Sequence, residues 1–300
     1  MKHLLSIEQL TGDEITALID EAAVLKANRS QTPKLLQDQV WALIFTKSST
    51  RTRVSFEVGI RELGGSVMFL SGADIQLGRG EPIKDTARVL GRMIHGAVIR
   101  TFAQQDVDDF AELSEIPTIN ALTDGEHPCQ ILADLLTIRE HIGGWEGKRI
   151  CFLGDGDCNV ARSWIWAAAR LGFDLVIGAP QEFQPAADFM AQVNAPNVTV
   201  SDDPKAAVAG CDVLYTDVWV SMGKEAEAVG RLETLQPWQI NDELVAAANP
   251  AALVMHCLPA YRGMEISEAV MEANAKVIFD EAENRLHAQK AVLAAIARSA

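Results

Sequence analysis

The chain has 300 residues, of which 48% are hydrophobic and 22% charged, and its formal net charge is −15. That length gives room for two domains whose cores need no disulfide or metal staple. So acidic a surface repels nucleic acid and anionic lipid, and a phosphate-bearing ligand would need a local cluster of positive groups. The cysteines, Cys129, Cys151, Cys158, Cys211 and Cys257, are odd in number, and no pair has the spacing of a zinc knuckle or a redox dithiol. Free thiols are therefore expected. No apolar run approaches the roughly 18 residues of a membrane span, and residues 1–10 do not read as a secretory leader. The simple expectation is a cytoplasmic chain.

In chain order, residues 40–45 form an uninterrupted apolar run of strand length. Residues 53–63 carry Phe56, Ile60 and Leu63 on one helical face. A strand over 66–70, a helix over 84–94 and a strand over 97–100 follow. Residues 128–141 read as a helix with Pro128 in its first turn, where helices accept proline. Gly143-Gly144 then interrupts the pattern. After it, strands at 149–153, 175–178, 198–200, 213–215 and 253–255 accompany a helix over 160–171, and an alanine-rich helix over 281–298 closes the chain. This alternation predicts an α/β fold of two domains, each a mostly parallel sheet flanked by helices on both faces. Open parallel sheets bind ligands beyond the carboxyl ends of their strands, so the loops after strands are the candidate sites.

The first such loop, Ser48-Ser49-Thr50-Arg51-Thr52-Arg53, combines hydroxyls, guanidinium groups and the N–H groups of a starting helix. Helix N-termini favour anions, and arginine offers a planar fork that matches a phosphate. A plain helix cap needs one hydroxyl, not a run of donors. Ser49-Thr50-Arg51-Thr52-Arg53 resembles the phosphate-binding signature of the aspartate and ornithine carbamoyltransferases. His127-Pro128-Cys129-Gln130 resembles the same family's His-Pro-x-Gln motif for carbamoyl phosphate. Read without the resemblance, His127 is a helix cap and Arg100 a solvated arginine at a strand end. With it, Arg100 also contacts carbamoyl phosphate. Gln76, in Asp74-Ile75-Gln76-Leu77-Gly78, looks like the family residue that reaches into a neighbouring subunit's site.

The second half carries motifs of the family's ornithine branch. Asp217-Val218-Trp219-Val220-Ser221-Met222-Gly223 resembles its Asp-x-x-x-Ser-Met-Gly loop, and His256-Cys257-Leu258-Pro259 its other signature. Alone, the first reads as a surface turn and Cys257 as a small buried hydrophobe. Gly154-Asp155-Gly156-Asp157-Cys158-Asn159 lacks the third glycine of a dinucleotide fingerprint. The family has an asparagine pair here, and this chain offers Cys158-Asn159. Glu283-Asn284-Arg285-Leu286-His287-Ala288-Gln289-Lys290 resembles the start of the family's C-terminal helix.

From residue 44 to 290, the resemblance implies one reaction: transfer of the carbamoyl group of carbamoyl phosphate to the side-chain amine of L-ornithine. It assigns Ser49, Thr50, Arg51, Thr52, Gln76, Arg100, His127, Gln130 and Arg285 to carbamoyl phosphate. Asn159, Asp217, Ser221, Met222, Cys257 and Leu258 fall to ornithine, and Arg100, His127, Cys257 and Arg285 to catalysis. It implies a carbamoyl phosphate domain of residues 1–140 plus 283–300, an ornithine domain of residues 141–282, and a homotrimer with sites between subunits. Neither a metal nor an organic cofactor is expected, because phosphate is already a good leaving group. The rival readings are a sister enzyme using putrescine or an N-acylated ornithine, a non-catalytic paralogue, and a nucleotide-binding dehydrogenase.

Overall fold

The computed structural model describes residues 1–72, 80–220 and 228–299. The chain divides into two compact units, Met1–Leu136 with Asn284–Ala300, and Thr137–Glu283. In chain order, unit 1 begins with α1 (Gly12–Ala27), β1 (Val40–Phe45), α2 (Thr50–Glu62), β2 (Ser66–Ser71) and α3 (Ile83–Leu90). β3 (Gly96–Arg100), α4 (Gln104–Ser114), β4 (Thr118–Leu122) and the start of α5 (Pro128–Ile142) follow. Six consecutive apolar residues cannot offer a face to water, so β1 belongs in the middle of a sheet covered on both sides. The observed order is β2-β1-β3-β4, parallel throughout. Ala42, Ile44, Ala97 and Ile99 of the sheet pack with Ala87 of α3 and Val107 and Phe110 of α4 in one buried cluster.

Unit 2 contains β5 (Arg149–Leu153), α6 (Asn159–Leu171), β6 (Asp174–Gly178), α7 (Ala187–Val193), β7 (Val198–Ser201) and α8 (Pro204–Val208). β8 (Val213–Thr216), α9 (Ala228–Leu235), α10 (Asp242–Ala247), β9 (Leu253–His256) and α11 (Glu268–Ala273) complete its series before α12 (Ala275–Ala297). Its five strands are also parallel, in the order β7-β6-β5-β8-β9. Trp164 of α6 meets Tyr215 of β8 edge-on at 5.2 Å and Phe173 at 6.0 Å, which seats the helix on the sheet. The expected architecture of two parallel-sheet domains flanked by helices is the one found.

Each sheet has one place where the strand order reverses, between β1 and β3 in unit 1 and between β5 and β8 in unit 2. Adjacent loops leave in opposite directions there and open a crevice. In unit 1 the crevice is pinned by Thr46, whose N–H donates to Arg100 O at 2.9 Å and whose hydroxyl donates to Thr101 Oγ1 at 3.0 Å. The register of β3 on β4 slips between Ile99 and Arg100, a bulge that re-aims the side chain at the strand end.

Several elements differ from the sequence reading. α1, α4 and β4 are additional, although Thr11 and Glu14 form a full capping box at the start of α1. The helix expected over 84–94 stops at Leu90, and the terminal helix begins at Ala275 rather than at residue 281. No helix among the described residues is long and apolar enough to cross a membrane.

Within unit 1 the end of α12 is fastened by a buried cation. Lys290 has no exposed surface and donates to Thr32 Oγ1 at 2.9 Å and Glu62 Oε2 at 2.7 Å. Gly59 leaves room for it, since a Cβ there would lie 3.2 Å from Lys290 Cγ. Burial alone would raise the Glu62 carboxyl, but Arg29 and Lys290 outweigh it and hold Glu62 below its ordinary 4.5. Replacing Lys290 by Met keeps the volume and removes the charge, and should lower unfolding free energy by about 2 kcal/mol. Urea unfolding of both proteins against pH checks this. A carboxylate with a lowered folded pKa stabilises above its unfolded value, so the gap should be full above pH 4.5 and shrink as pH falls through the lowered Glu62 value.

Candidate active site

In unit 1 the loop leaving β1 turns directly into α2. Ser49, with extended backbone, caps the helix by accepting the N–H of Thr52 at 3.3 Å. Its hydroxyl also donates to Thr52 Oγ1 at 3.0 Å. The expected phosphate residues thus separate into two sets. Thr50 and Arg51 are exposed on the first turn and Ser49 is half-buried, while Thr52 is only 1% exposed. Thr52 Oγ1 in turn accepts from Arg285 Nη2 at 3.1 Å, and Arg285 Nη1 donates to Gln130 Oε1 at 2.6 Å. One guanidinium therefore joins α12 to both α2 and α5. Gln130 uses its amide nitrogen to donate to the fully buried Asp134 at 2.8 Å.

Arg100, His127, Gln130 and Arg285 are all buried, the least so being 7% exposed. Arg100 is therefore not the solvated strand-end residue that its position alone suggests. Desolvation first, then the charges of Arg285 and Arg100, push His127 well below the ordinary imidazole value of 6.5. Burial likewise pushes the neighbouring Cys129 thiol up to about 12, against the pull of Arg285. Cys129 is a neutral core residue whose thiol donates to Asn120 O at 3.4 Å. The site is a neutral imidazole flanked by two guanidinium groups, the local positive cluster that an anion requires in so acidic a chain.

Lys47, which the sequence reading passed over, sits at the same crevice. It is 5% exposed, paired with Asp124, and lies 4.3 Å from the centre of the Phe102 ring. This clamp joins the loop after β1 to the turn that presents His127. A lysine emerging from a buried strand just before the hydroxyl run was its signal in the sequence. Gln76 lies outside the described residues, as do Ser221 and Met222.

In unit 2, Gly154 leaves β5 at φ +126, and a Cβ there would stand 3.1 Å from Trp219 Nε1. Asp155 pairs with Arg231, whose Nε also donates to Trp219 O at 2.7 Å. Arg231 lies over the Phe183 ring as well, at 4.7 Å. The loops after β5 and β8 are thereby tied to each other through α9. Cys158, at the position of the family's first asparagine, caps α6 with its sulfur by accepting Ala161 N–H at 3.5 Å. Burial, then Asp155 and Asp217, push its thiol far up, so it stays protonated. Asn159 is the first residue of α6.

Asp217 and Cys257, from the ends of β8 and β9, meet directly, and the thiol donates to Asp217 Oδ1 at 2.9 Å. The same oxygen accepts Val218 N–H at 2.7 Å. Burial pushes the Asp217 carboxyl up, and the bond from Cys257 pulls it partly back. Cys257 is half-buried whereas the other four cysteines are buried. Leu258 follows at φ +59. Among the described residues no group of three or more His, Cys, Asp and Glu side chains is arranged to hold a metal ion.

Residues 2–140 match the carbamoyl-P binding domain of the aspartate/ornithine carbamoyltransferases, and residues 146–296 match their Asp/Orn binding domain. The chain is 62% identical to an ornithine carbamoyltransferase of Akkermansia muciniphila, covering 99% of this chain and 98% of that one. It is 47% identical to that of Geobacter sulfurreducens over 99% of both. The solved ornithine carbamoyltransferase of Pyrococcus furiosus superposes with a TM-score of 0.94 at 42% identity, covering 100% of this chain and 98% of that one. The anabolic enzyme of Campylobacter jejuni gives 0.93 at 39% identity, with both chains fully covered.

Because His127 is depressed, it stays neutral in the folded state at pH values where the unfolded chain takes up a proton. The unfolded state then gains stability as pH falls below 6.5 towards the lowered value, so the folded protein loses it in that window. His127→Gln removes this titration. Urea unfolding at about pH 7.5 and about pH 5 should show the wild type losing more stability on acidification than the variant. Parallel losses in the two proteins would contradict a neutral buried His127.

Proposed function

The chain belongs to the aspartate/ornithine carbamoyltransferase family, and on that footing we propose how its two units divide one reaction. The chain is a transferase that moves the carbamoyl group of carbamoyl phosphate to the side-chain amine of L-ornithine, giving L-citrulline and phosphate in arginine biosynthesis. The observation that most supports ornithine as the acceptor is the contact of Cys257 with Asp217 in unit 2, built from the two motifs that resemble the ornithine branch.

In this reading unit 1 holds carbamoyl phosphate. Arg51 and the hydroxyls of Ser49, Thr50 and Thr52 take the phosphate, helped by the N-terminus of α2. Arg100, His127, Gln130 and Arg285 face the carbonyl oxygen. As the amine attacks, negative charge grows on that oxygen, and fixed donors in a water-poor site stabilise it without reorganising. Neutral His127 can donate there without adding a third positive charge. Unit 2 holds ornithine. Asp217 pairs with the α-ammonium group, Asn159, Ser221 and Met222 complete the amino-acid end, and the Cys257 thiol and Leu258 carbonyl stand over the reacting amine. That amine must lose a proton from a group with an intrinsic pKa of about 10, and desolvation lowers the cost of doing so. The C–O bond to phosphate breaks as the tetrahedral intermediate collapses, and the leaving phosphate takes up the amine's second proton.

Further parts of the proposal are a cytoplasmic location and a closed ring of three chains, in which Gln76 of one chain serves the site of the next. The domain limits proposed are residues 1–140 plus 283–300 for carbamoyl phosphate and residues 141–282 for ornithine.

A side-by-side assay with ornithine, putrescine, N-acetylornithine and aspartate tests the acceptor. Citrulline formation should dominate, and preference for any other amine would displace ornithine. Arg51→Ala should lose about 2–5 kcal/mol of transition-state stabilisation, read as a fall in kcat/KM, and near-normal turnover would remove Arg51 from the phosphate site. For the ring, Arg51→Ala chains refolded together with Gln76→Ala chains should regain activity above either parent alone. A fully active monomer would refute shared sites.

A further inference from the structure

Cys257 and Leu258 leave β9 in a turn that side-chain-bearing residues seldom adopt, since Leu258 has φ +59. Something must hold that turn, and the holder is the residue just before it. Leu258 N–H donates to His256 Nδ1 at 2.9 Å. A backbone N–H can only donate, so Nδ1 carries the lone pair and the imidazole proton sits on Nε2. Nε2 faces Glu265 Oε1 at 3.0 Å, which fixes the tautomer. The same carboxylate oxygen accepts Tyr261 N–H at 2.6 Å, so Glu265 grips the loop at both of its ends. From the other side, His256 N–H donates to Glu281 Oε2 at 2.9 Å, and Glu281 Oε1 accepts the Tyr215 hydroxyl at 3.3 Å. His256, Glu265 and Glu281 have no exposed surface. A network this buried and this directional is more than packing requires, because an aliphatic side chain would fill the space without two buried carboxylates.

We propose that His256 is a positioning residue for the carbamoyl acceptor: through its Nδ1 bond to Leu258 N–H, with Glu265 fixing the tautomer, it sets where the Leu258 carbonyl and the Cys257 thiol stand. The proposal rests on the reading of Cys257 and Leu258 as the residues over ornithine's amine. His256 touches no substrate itself. Its loss should therefore leave carbamoyl phosphate untouched and degrade the geometry offered to ornithine, since small misplacements of an orienting group act on turnover.

The test uses two substitutions that each keep half of the imidazole. His256→Asn retains an acceptor near the Nδ1 position, and His256→Gln retains a donor near the Nε2 position. Steady-state kinetics should show His256→Asn within about tenfold of wild type in kcat/KM for ornithine, and His256→Gln about a hundredfold down. KM for carbamoyl phosphate should be unchanged in both. Alkylation by iodoacetamide reads the placement of Cys257 directly, because the other cysteines are buried. Its rate should stay near wild type in His256→Asn and shift in His256→Gln. Equal losses in the two variants, or lower melting temperatures with normal ornithine kinetics, would overturn the proposal. Should neither variant fold, Glu265→Gln decides: a lowered kcat/KM for ornithine at constant carbamoyl phosphate KM supports the proposal, and unaltered ornithine kinetics overturns it. Absence of citrulline from the wild type would instead strike the acceptor reading, and this proposal with it.

Discussion

Two buried guanidinium groups beside one imidazole set the terms for unit 1. Burial disfavours a charged imidazole, and the like charges of Arg285 and Arg100 add to that, so His127 is held well below its ordinary value and stays neutral. The arrangement persists because each arginine is committed elsewhere. Arg285 is bonded to Gln130 and Thr52, and Arg100 is aimed by a bulge at the end of a central strand. The strand order, the Ser49 cap and the clamp of Lys47 on Asp124 all bring backbone to that cluster. The net charge of −15 sets a repulsive far field, but salt screens it beyond roughly 8 Å. At contact distance the buried cluster decides, and it favours an anion.

Unit 2 has the opposite electrostatic character. Carboxylates stand at and beneath its strand ends, and the following are engaged: Asp155 by Arg231, Asp217 by Cys257 and Val218, and the fully buried Glu265 by His256 and Tyr261. One chain thus carries a site of positive groups on one sheet and a site of acidic groups on the other. Carbamoyl phosphate is an anion, and ornithine arrives with two ammonium groups, so the charge of each ligand matches the unit assigned to it.

The strands that sequence made legible are those whose burial is written as unbroken apolarity, such as β1 with Val40 to Phe45 and β5 with Ile150 to Leu153. β4 was opaque because Thr118 and Asn120 interrupt the run, although both are fully buried; Asn120 earns its place by donating to Leu5 O at 2.8 Å. α4 begins at Gln104 with no side-chain cap, so nothing local announced it. In unit 1 the motif residues Thr52, Gln130 and Arg285 do come together, and in unit 2 so do Asp217 and Cys257. What a sequence cannot display is a partner chosen by the fold. Arg231 meets Asp155 only because α9 packs under the loop after β5. His256 stood inside a motif yet had no visible role until Glu265 and the Leu258 N–H closed around it.

The bond between Cys257 and Asp217 bears on the hardest requirement of the proposed chemistry. An attacking amine must be neutral, and desolvation favours the neutral form. A bare carboxylate nearby acts in the opposite sense, since it stabilises the ammonium form and raises the amine's pKa. In the proposed site Asp217 serves the α-ammonium end, so it cannot simply be removed. The thiol hydrogen on Oδ1, together with Val218 N–H on the same oxygen, draws the carboxylate's charge towards the protein and away from the reacting end of the ligand. Burial of Asp217 acts in the same sense by raising its own affinity for a proton. The two ends of ornithine can then be treated differently, the α-ammonium held as a cation and the side-chain amine released as a base, although both are amines in one small site.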